Sequence, residues 1–170
     1  MPIEYGCLFC RTGQEQSVVN YLEQNYSDIR VISLVKLRHF RRNGTISLQR
    51  VKLFPNYVFF SVDSVEFNVS ALKKHSGVIK ILTSGEDGQW QLCGSDRTLV
   101  EELFKTNGEI GLSKAYYEND KIQIESGFLK RHESSIIAVN HRAKTAHVKV
   151  NIGDVMFDLW LGFEEISKPV

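Results

Sequence analysis

Apolar and polar positions along the first hundred residues alternate between two periods. Residues 4 to 10 are a short run of aromatic, aliphatic and cysteine side chains closed by the polar Arg11-Thr12-Gly13-Gln14, the pattern of a buried strand. Val18, Val19, Tyr21, Leu22 and Tyr26 then recur at helical spacing among Gln, Glu and Asn, which predicts an amphipathic helix. Residues 29 to 38 alternate in part, and a second run covers 45 to 53. Asn43-Gly44 between them is a strong two-residue turn signal, so a hairpin is expected. Phe54 to Val62 reads as a strand, with Pro55 tolerated near its start because that position need not donate to a ladder. Further on, 65 to 75 reads as a helix and 77 to 82 as a short strand. Residues 95 to 106 read as a helix with Ser95 or Asp96 as N-cap.

After Asn107-Gly108 only short β-type runs remain, at 120 to 125, 134 to 140, 145 to 152 and 155 to 161. Gly153-Asp154 between the last two fits a tight hairpin turn with glycine at positive φ. Strands at this spacing predict a small barrel. The expected organisation is an α+β domain over 1–108, a linker over 109–116 and a β-barrel domain over 117–170.

Composition bounds this picture. A chain of 170 residues with 42% hydrophobic and 24% charged residues has room for one ordinary domain or two small ones. Three cysteines fit a reducing compartment better than a disulfide framework. The start, Met1-Pro2-Ile3-Glu4-Tyr5, lacks a basic stretch followed by an apolar run, and no apolar segment approaches the roughly 18 residues of a membrane span. A soluble cytoplasmic protein, with no membrane partner and monomeric, is expected.

The formal net charge is only +1, but it is unevenly distributed. Between Ile29 and Val62 no acidic residue occurs, while Arg30, Lys36, Arg38, Arg41, Arg42, Arg50 and Lys52 make the segment +7. Residues 128 to 150 are +4, from Lys130, Arg131, Arg142, Lys144 and Lys149 against Glu133, with His132, His141 and His147 among them. The balance comes from acids elsewhere, among them Glu86, Asp96, Glu101, Glu102 and Glu109. Basic stripes of this kind attract phosphate by releasing condensed counterions, and interspersed His and Phe can stack on unpaired bases. A solvated hairpin with idle charges is the alternative reading.

No reaction chemistry stands out. Cys7 and Cys10 form a C-x-x-C inside a predicted strand, where residues three apart point to opposite faces, and no second ligand pair follows. The five histidines lack metal-ligand spacing, and adjacent Glu101 and Glu102 on a helix do not share a face. No P-loop or dinucleotide fingerprint occurs. The expectation is a non-enzyme without catalytic residues, metal or cofactor.

Phe54-Pro55-Asn56-Tyr57-Val58-Phe59-Phe60, placed between a basic hairpin and a helix, resembles the NGN domain of the NusG family of transcription elongation factors. The first strand with Arg11-Thr12-Gly13-Gln14-Glu15, and His75-Ser76-Gly77-Val78-Ile79-Lys80-Ile81-Leu82, stand in the corresponding order. The second half resembles the KOW domain of that family: Tyr117 to Ile124, Gly127-Phe128-Leu129-Lys130-Arg131-His132-Glu133-Ser134, and Leu159-Trp160-Leu161-Gly162-Phe163-Glu164. The resemblance implies an NGN-type antiparallel sheet with flanking helices, joined to an SH3-like KOW barrel. Asn56, Phe128 and Ser134 stand where the family commonly has Gly, Pro and Gly. Gly153-Asp154 replaces an aromatic and a Gly at the hairpin tip, which argues against ribosomal-protein contact. With the basic turn at 130 to 132, the pattern is closer to specialised paralogues such as the LoaP antiterminators.

The resemblance also implies site residues. The first domain would bind the clamp helices of the large RNA polymerase subunit, with Tyr5, Leu8, Phe54, Tyr57 and Ile79 at or near the docking pocket; core packing is an equal reading for each. Arg38, Arg41 and Arg42 would face non-template DNA. Lys130, Arg131, His132, His141, Arg142 and Lys144 would make one basic surface for a structured RNA leader. The functional expectation is an operon-specific elongation and antitermination factor. A housekeeping factor coupling transcription to translation and a stand-alone RNA-binding protein are the alternatives.

Overall fold

The structure is a computed structural model that describes residues 2–63, 66–84 and 87–170. Glu86, counted above among the balancing acids, and the first residue of the helix expected at 65 to 75 lie outside them. The chain divides into two compact units: 1–34, 54–108 and 151–155 form the first, and 35–53, 109–150 and 156–170 the second.

The first unit is built on a four-stranded sheet with strand order β2-β5-β1-β6, where β1 is Glu4–Cys10, β2 Ile29–Ile32, β5 Tyr57–Val62 and β6 Val78–Ile81. Its long strands are apolar in runs because both faces are covered. Leu8, Cys10, Val58 and Phe60 pack on one face with Val18, Val19 and Leu22 from helix α1, Glu15–Asn25. On the other, Tyr5 meets Phe104 of helix α2, Gly94–Lys105, with ring centroids 5.3 Å apart. The N-cap of α2 is Cys93, without a side-chain cap, instead of Ser95 or Asp96; the Asp96 carboxylate accepts the Gly153 amide at 2.8 Å. The expected helix at 65 to 75 is a 3-10 helix over Val69–Lys74, started by Asn68, whose side chain accepts the Ser70 amide.

Gly6 faces Phe60 across the β1–β5 pair, and a Cβ there would lie 2.3 Å from the Phe60 ring, which itself stacks on Trp90. Gly6→Ala is therefore expected to lower stability by about 1–3 kcal/mol, the cost of overpacking. Urea unfolding checks this, the midpoint falling with the slope unchanged.

The second unit contains two sheets. Strands β3, Val35–Arg42, and β4, Thr45–Lys52, form a hairpin in full antiparallel register, and β7, Glu109–Ile110, runs parallel to β3. Asn43 and Gly44 at its turn have φ of 50° and 78°, as a primed two-residue turn requires. The apolar pattern at 29 to 38 breaks into β2 and β3, the buried Leu34 lying between them. A curled five-stranded sheet of SH3-like type follows in the order β10-β11-β12-β8-β9. These are β8 Ser113–Glu118, β9 Lys121–Ser126, β10 Ile136–Asn140, β11 Thr145–Ile152 and β12 Val155–Glu165. Ala115, Ile124, Ala146, Val148, Leu161 and Phe163 are buried within this unit. Residues 109 to 116, where a linker is expected, hold β7 and the start of β8.

Between β9 and β10 the chain forms one α-helical turn, α3, Phe128–Arg131, anchored at its start, and then a 3-10 turn over Glu133–Ser135. Gly127 has φ 94°, and a Cβ there would lie 2.7 Å from Ser113 Cα. The Leu129 amide donates to Ser113 Oγ at 3.0 Å, and the Ile124 amide donates to the Glu133 carboxylate at 2.8 Å. No helix among the described residues is long and apolar enough to cross a membrane.

Candidate nucleic-acid interface

Within the second unit, the basic hairpin and the turn between β10 and β11 line one cavity of about 720 Å³. The hairpin supplies Lys36, Arg38 and Arg41, and the turn supplies Arg142 and Lys144. Close approach of the two sheets makes this possible. Gly162 on β12 has no side chain, and a Cβ there would stand 2.8 Å from the Leu37 carbonyl oxygen of β3. Lys36 Nζ donates to the Trp160 carbonyl. Burial, and then the charge of Arg38, push the Lys36 ammonium below its ordinary value.

The five cations differ in how far they are neutralised. Lys144 pairs with Glu165 at 2.8 Å. Arg38, Arg41 and Arg142 have no ion-pair partner among the described residues. Not every charge of the +7 segment belongs to this site. Arg50 pairs with Glu109, and Arg30 donates to Asn107 and lies over the Phe104 ring. The rest of the wall combines His39, Phe40, Ile46 and Trp160 with Asn140, Ala143 and Thr145 of the turn. Trp160 is 39% exposed, with the His147 ring stacked on it at 4.6 Å and 14°, and His147 Nε2 in turn meets Asp158 Oδ1 at 2.8 Å. His39 Nε2 is buried with no hydrogen-bond partner among the described residues.

Four of the nine residues expected at nucleic acid thus meet at one cavity: Arg38, Arg41, Arg142 and Lys144. Arg42 closes β3 at the hairpin end, opposite Thr45. Lys130 pairs with Glu133 at 3.5 Å, exposed Arg131 follows it on α3, and His132 stacks on Phe128 at 4.6 Å. Exposed His141 sits against Tyr117 at 5.1 Å. The pattern of charge pointed to the cations. Trp160 and Ile46 were missed, because a lone aromatic or aliphatic residue on a strand reads as core.

The expected polymerase-facing residues divide by burial. Tyr5, Leu8 and Phe54 are core residues here, at 7%, 0% and 3% exposure. Phe54 meets Phe59 edge-on at 5.1 Å. Tyr57 is half-buried and Ile79 is 49% exposed, so their side chains are accessible. Tyr57 lies opposite Phe9 in the β1–β5 register with ring centroids 5.2 Å apart. Phe9 is also half-buried, and its alternation out of the core was the signal that a reading as a wholly buried strand passed over.

Asn56 accounts for its own departure from glycine. It adopts φ 74°, in the left-handed region that Asn tolerates better than most residues. Its amide N–H donates to the buried Glu15 carboxylate at 2.9 Å, and its side-chain amide donates to Cys10 O and Thr12 Oγ1. Cys7 and Cys10 are both fully buried. Burial, followed by the Glu15 charge, pushes the Cys10 thiol up to about 12, and burial raises Cys7 well above its usual value. Thiols so placed stay protonated at neutral pH and are poor nucleophiles and ligands.

The architecture is thus a four-stranded sheet unit and a second unit that joins a basic hairpin to a curled SH3-like sheet. It is shared with the solved structure described as "Domain interaction in Thermotoga maritima NusG", with a TM-score of 0.57 over 95% of this chain and 94% of that one, at 18% identity. The family described as "Transcription termination factor nusG" matches residues 5–96, more than half of the chain, and the chain belongs to the NusG family. Members of that family act in transcription elongation and bind RNA polymerase. No curated protein matches the chain.

Proposed function

We propose that this protein is an operon-specific elongation and antitermination factor, working in the cytoplasm by attachment at two points. The first unit docks on the clamp helices of the large polymerase subunit through the surface carrying Tyr57, Phe9 and Ile79. The basic surfaces of the second unit hold a structured RNA leader, with non-template DNA as the other polyanion within reach of the hairpin. One observation carries the reading: Arg38 and Arg41 of the hairpin and Arg142 of a turn about a hundred residues later line one cavity with no acidic partner among the described residues.

The mechanism needs no reaction chemistry. Once the first unit is bound, capture of the leader by the second is intramolecular, which raises its effective concentration. Modest affinity for RNA then suffices to keep the factor on one transcription complex. The turn at Gly153-Asp154, which lacks an aromatic residue, supports a role apart from ribosome coupling.

The test is transcription through an intrinsic terminator placed behind the leader of the protein's own operon. Readthrough is expected to rise with that leader and to stay at the basal level when the leader is scrambled. Equal readthrough on both templates would mark a general elongation factor instead. Lys130→Ala with Arg131→Ala is expected to weaken leader binding at moderate salt; unchanged affinity would remove α3 from the RNA-binding surface.

A further inference from the structure

The cavity of the second unit does more than present positive charge. We infer that it receives one unstacked nucleotide of a single-stranded stretch, the base against Phe40, Ile46 and Trp160 and the flanking phosphates on Arg38, Arg41 and Arg142. This rests on the nucleic-acid half of the reading above and specifies which part of a nucleic acid is held.

Size is the first argument. A volume of about 720 Å³ falls inside the range of about 300–1,000 Å³ typical of sites for small organic ligands, and a nucleoside with its phosphates is a ligand of that class. A paired base cannot enter a concave site without leaving its stack, whereas loops and single strands present bases already splayed out. A duplex would use only the cations at the rim.

Wall chemistry is the second. A surface built solely for phosphate needs cations and polar donors, but here Phe40, Ile46 and Trp160 line the same space. Ile46 is 54% exposed, so apolar area that would otherwise be buried in a core is left facing the site. One face of the Trp160 indole is covered by the His147 ring, which forms the start of a stack that a base would extend.

Trp160 also supplies the test. The chain has two tryptophans, so Trp90→Phe leaves Trp160 as the single tryptophan, excited selectively at wavelengths where the tyrosines do not absorb. This variant is titrated with a short oligouridine, an RNA duplex of the same length, and uridine triphosphate. Oligouridine is expected to quench Trp160 and to bind on the order of tenfold more tightly than the duplex, which leaves the emission unchanged. In the otherwise native chain, Trp160→Ala is expected to cost on the order of tenfold in oligouridine affinity, as loss of one base stack does, and nothing for the duplex; Trp160→Phe retains most of the affinity. The fluorescence readout stands even if Trp160→Ala impairs folding.

Equal binding of oligouridine and duplex without quenching would overturn the inference while leaving nucleic-acid binding intact. Uridine triphosphate binding as tightly as oligouridine would assign the cavity to a free nucleotide and overturn it as well. Failure of both RNAs to bind would remove the nucleic-acid reading itself.

Discussion

Replacing Arg38, Arg41 and Arg142 together by alanine is expected to lower RNA affinity by tens to about a hundredfold near physiological salt. Each guanidinium lines the cavity and has no carboxylate partner among the described residues, so each is available to a phosphate. At about 1 kcal/mol for a solvent-exposed charge pair, removing all three costs about 3 kcal/mol. Salt dependence is the sharper signature. Each phosphate that is no longer neutralised should flatten the slope of log affinity against log salt by about 0.7 for single strands or 0.9 for duplex. The slope of the triple variant should therefore be shallower by about 2 to 3. Since the three side chains hold no salt bridge among the described residues, thermal stability should change little, and a folding defect would separate from a binding defect in one melting experiment. The matched control is Arg50→Ala, whose native partner is Glu109 and whose side chain does not line the cavity.

Tyr57→Ala is the second substitution with a large expected effect, on polymerase rather than RNA. Tyr57 and Phe9 stand side by side on adjacent strands, both half-buried, and form an aromatic pair. Aromatic anchors of this kind carry about 2–4 kcal/mol of a protein interface, or roughly 30- to 1,000-fold in affinity. Binding of the variant to immobilised core polymerase should fall by that range, while its affinity for RNA stays unchanged. Tyr57→Phe separates ring from hydroxyl and should keep most of the binding if the ring is the anchor. Wild-type polymerase affinity in a cooperatively folding Tyr57→Ala protein would remove this face from the docking surface.

Local signals in the sequence carried the local structure. Asn43-Gly44 and Gly153-Asp154 are the turns of two hairpins, with positive φ at Asn43, Gly44 and Gly153 as tight turns demand. The run at 4 to 10 is β1, and each of the four strand runs after residue 117 has a counterpart within a few residues. What stayed hidden depends on pairings distant in sequence. The parallel pairing of Val35 with Glu109, and the approach of Gly162 to Leu37, group the hairpin with the second half of the chain, and no local period encodes either. The residues at 109 to 116 lack a strong alternating pattern because β7 is only two residues long. Val69–Lys74 has helical composition, yet the chain there forms only six residues of 3-10 helix.

The site followed the same division. Net charge by segment picked out the cations, because ordered runs without acids are visible in one dimension. Their meeting at one cavity is a property of the fold. For the first unit, the motif around Phe54 to Phe60 does not say which of its rings are accessible. Side-chain alternation along β5 settles that: Val58 and Phe60 face the core shared with α1, while Tyr57 lies beside Phe9.

The central claim is that the hairpin and the turn between β10 and β11 act as one nucleic-acid site. Hydrogen exchange on the full-length protein, with and without the leader RNA of its own operon, measures it most directly. Residues 38 to 41 and 140 to 145 are expected to gain protection together, at the same RNA concentration, and to lose it together in the Arg38, Arg41 and Arg142 variant. Protection confined to 128 to 133, or appearing in the two segments at different RNA concentrations, would contradict a single shared site.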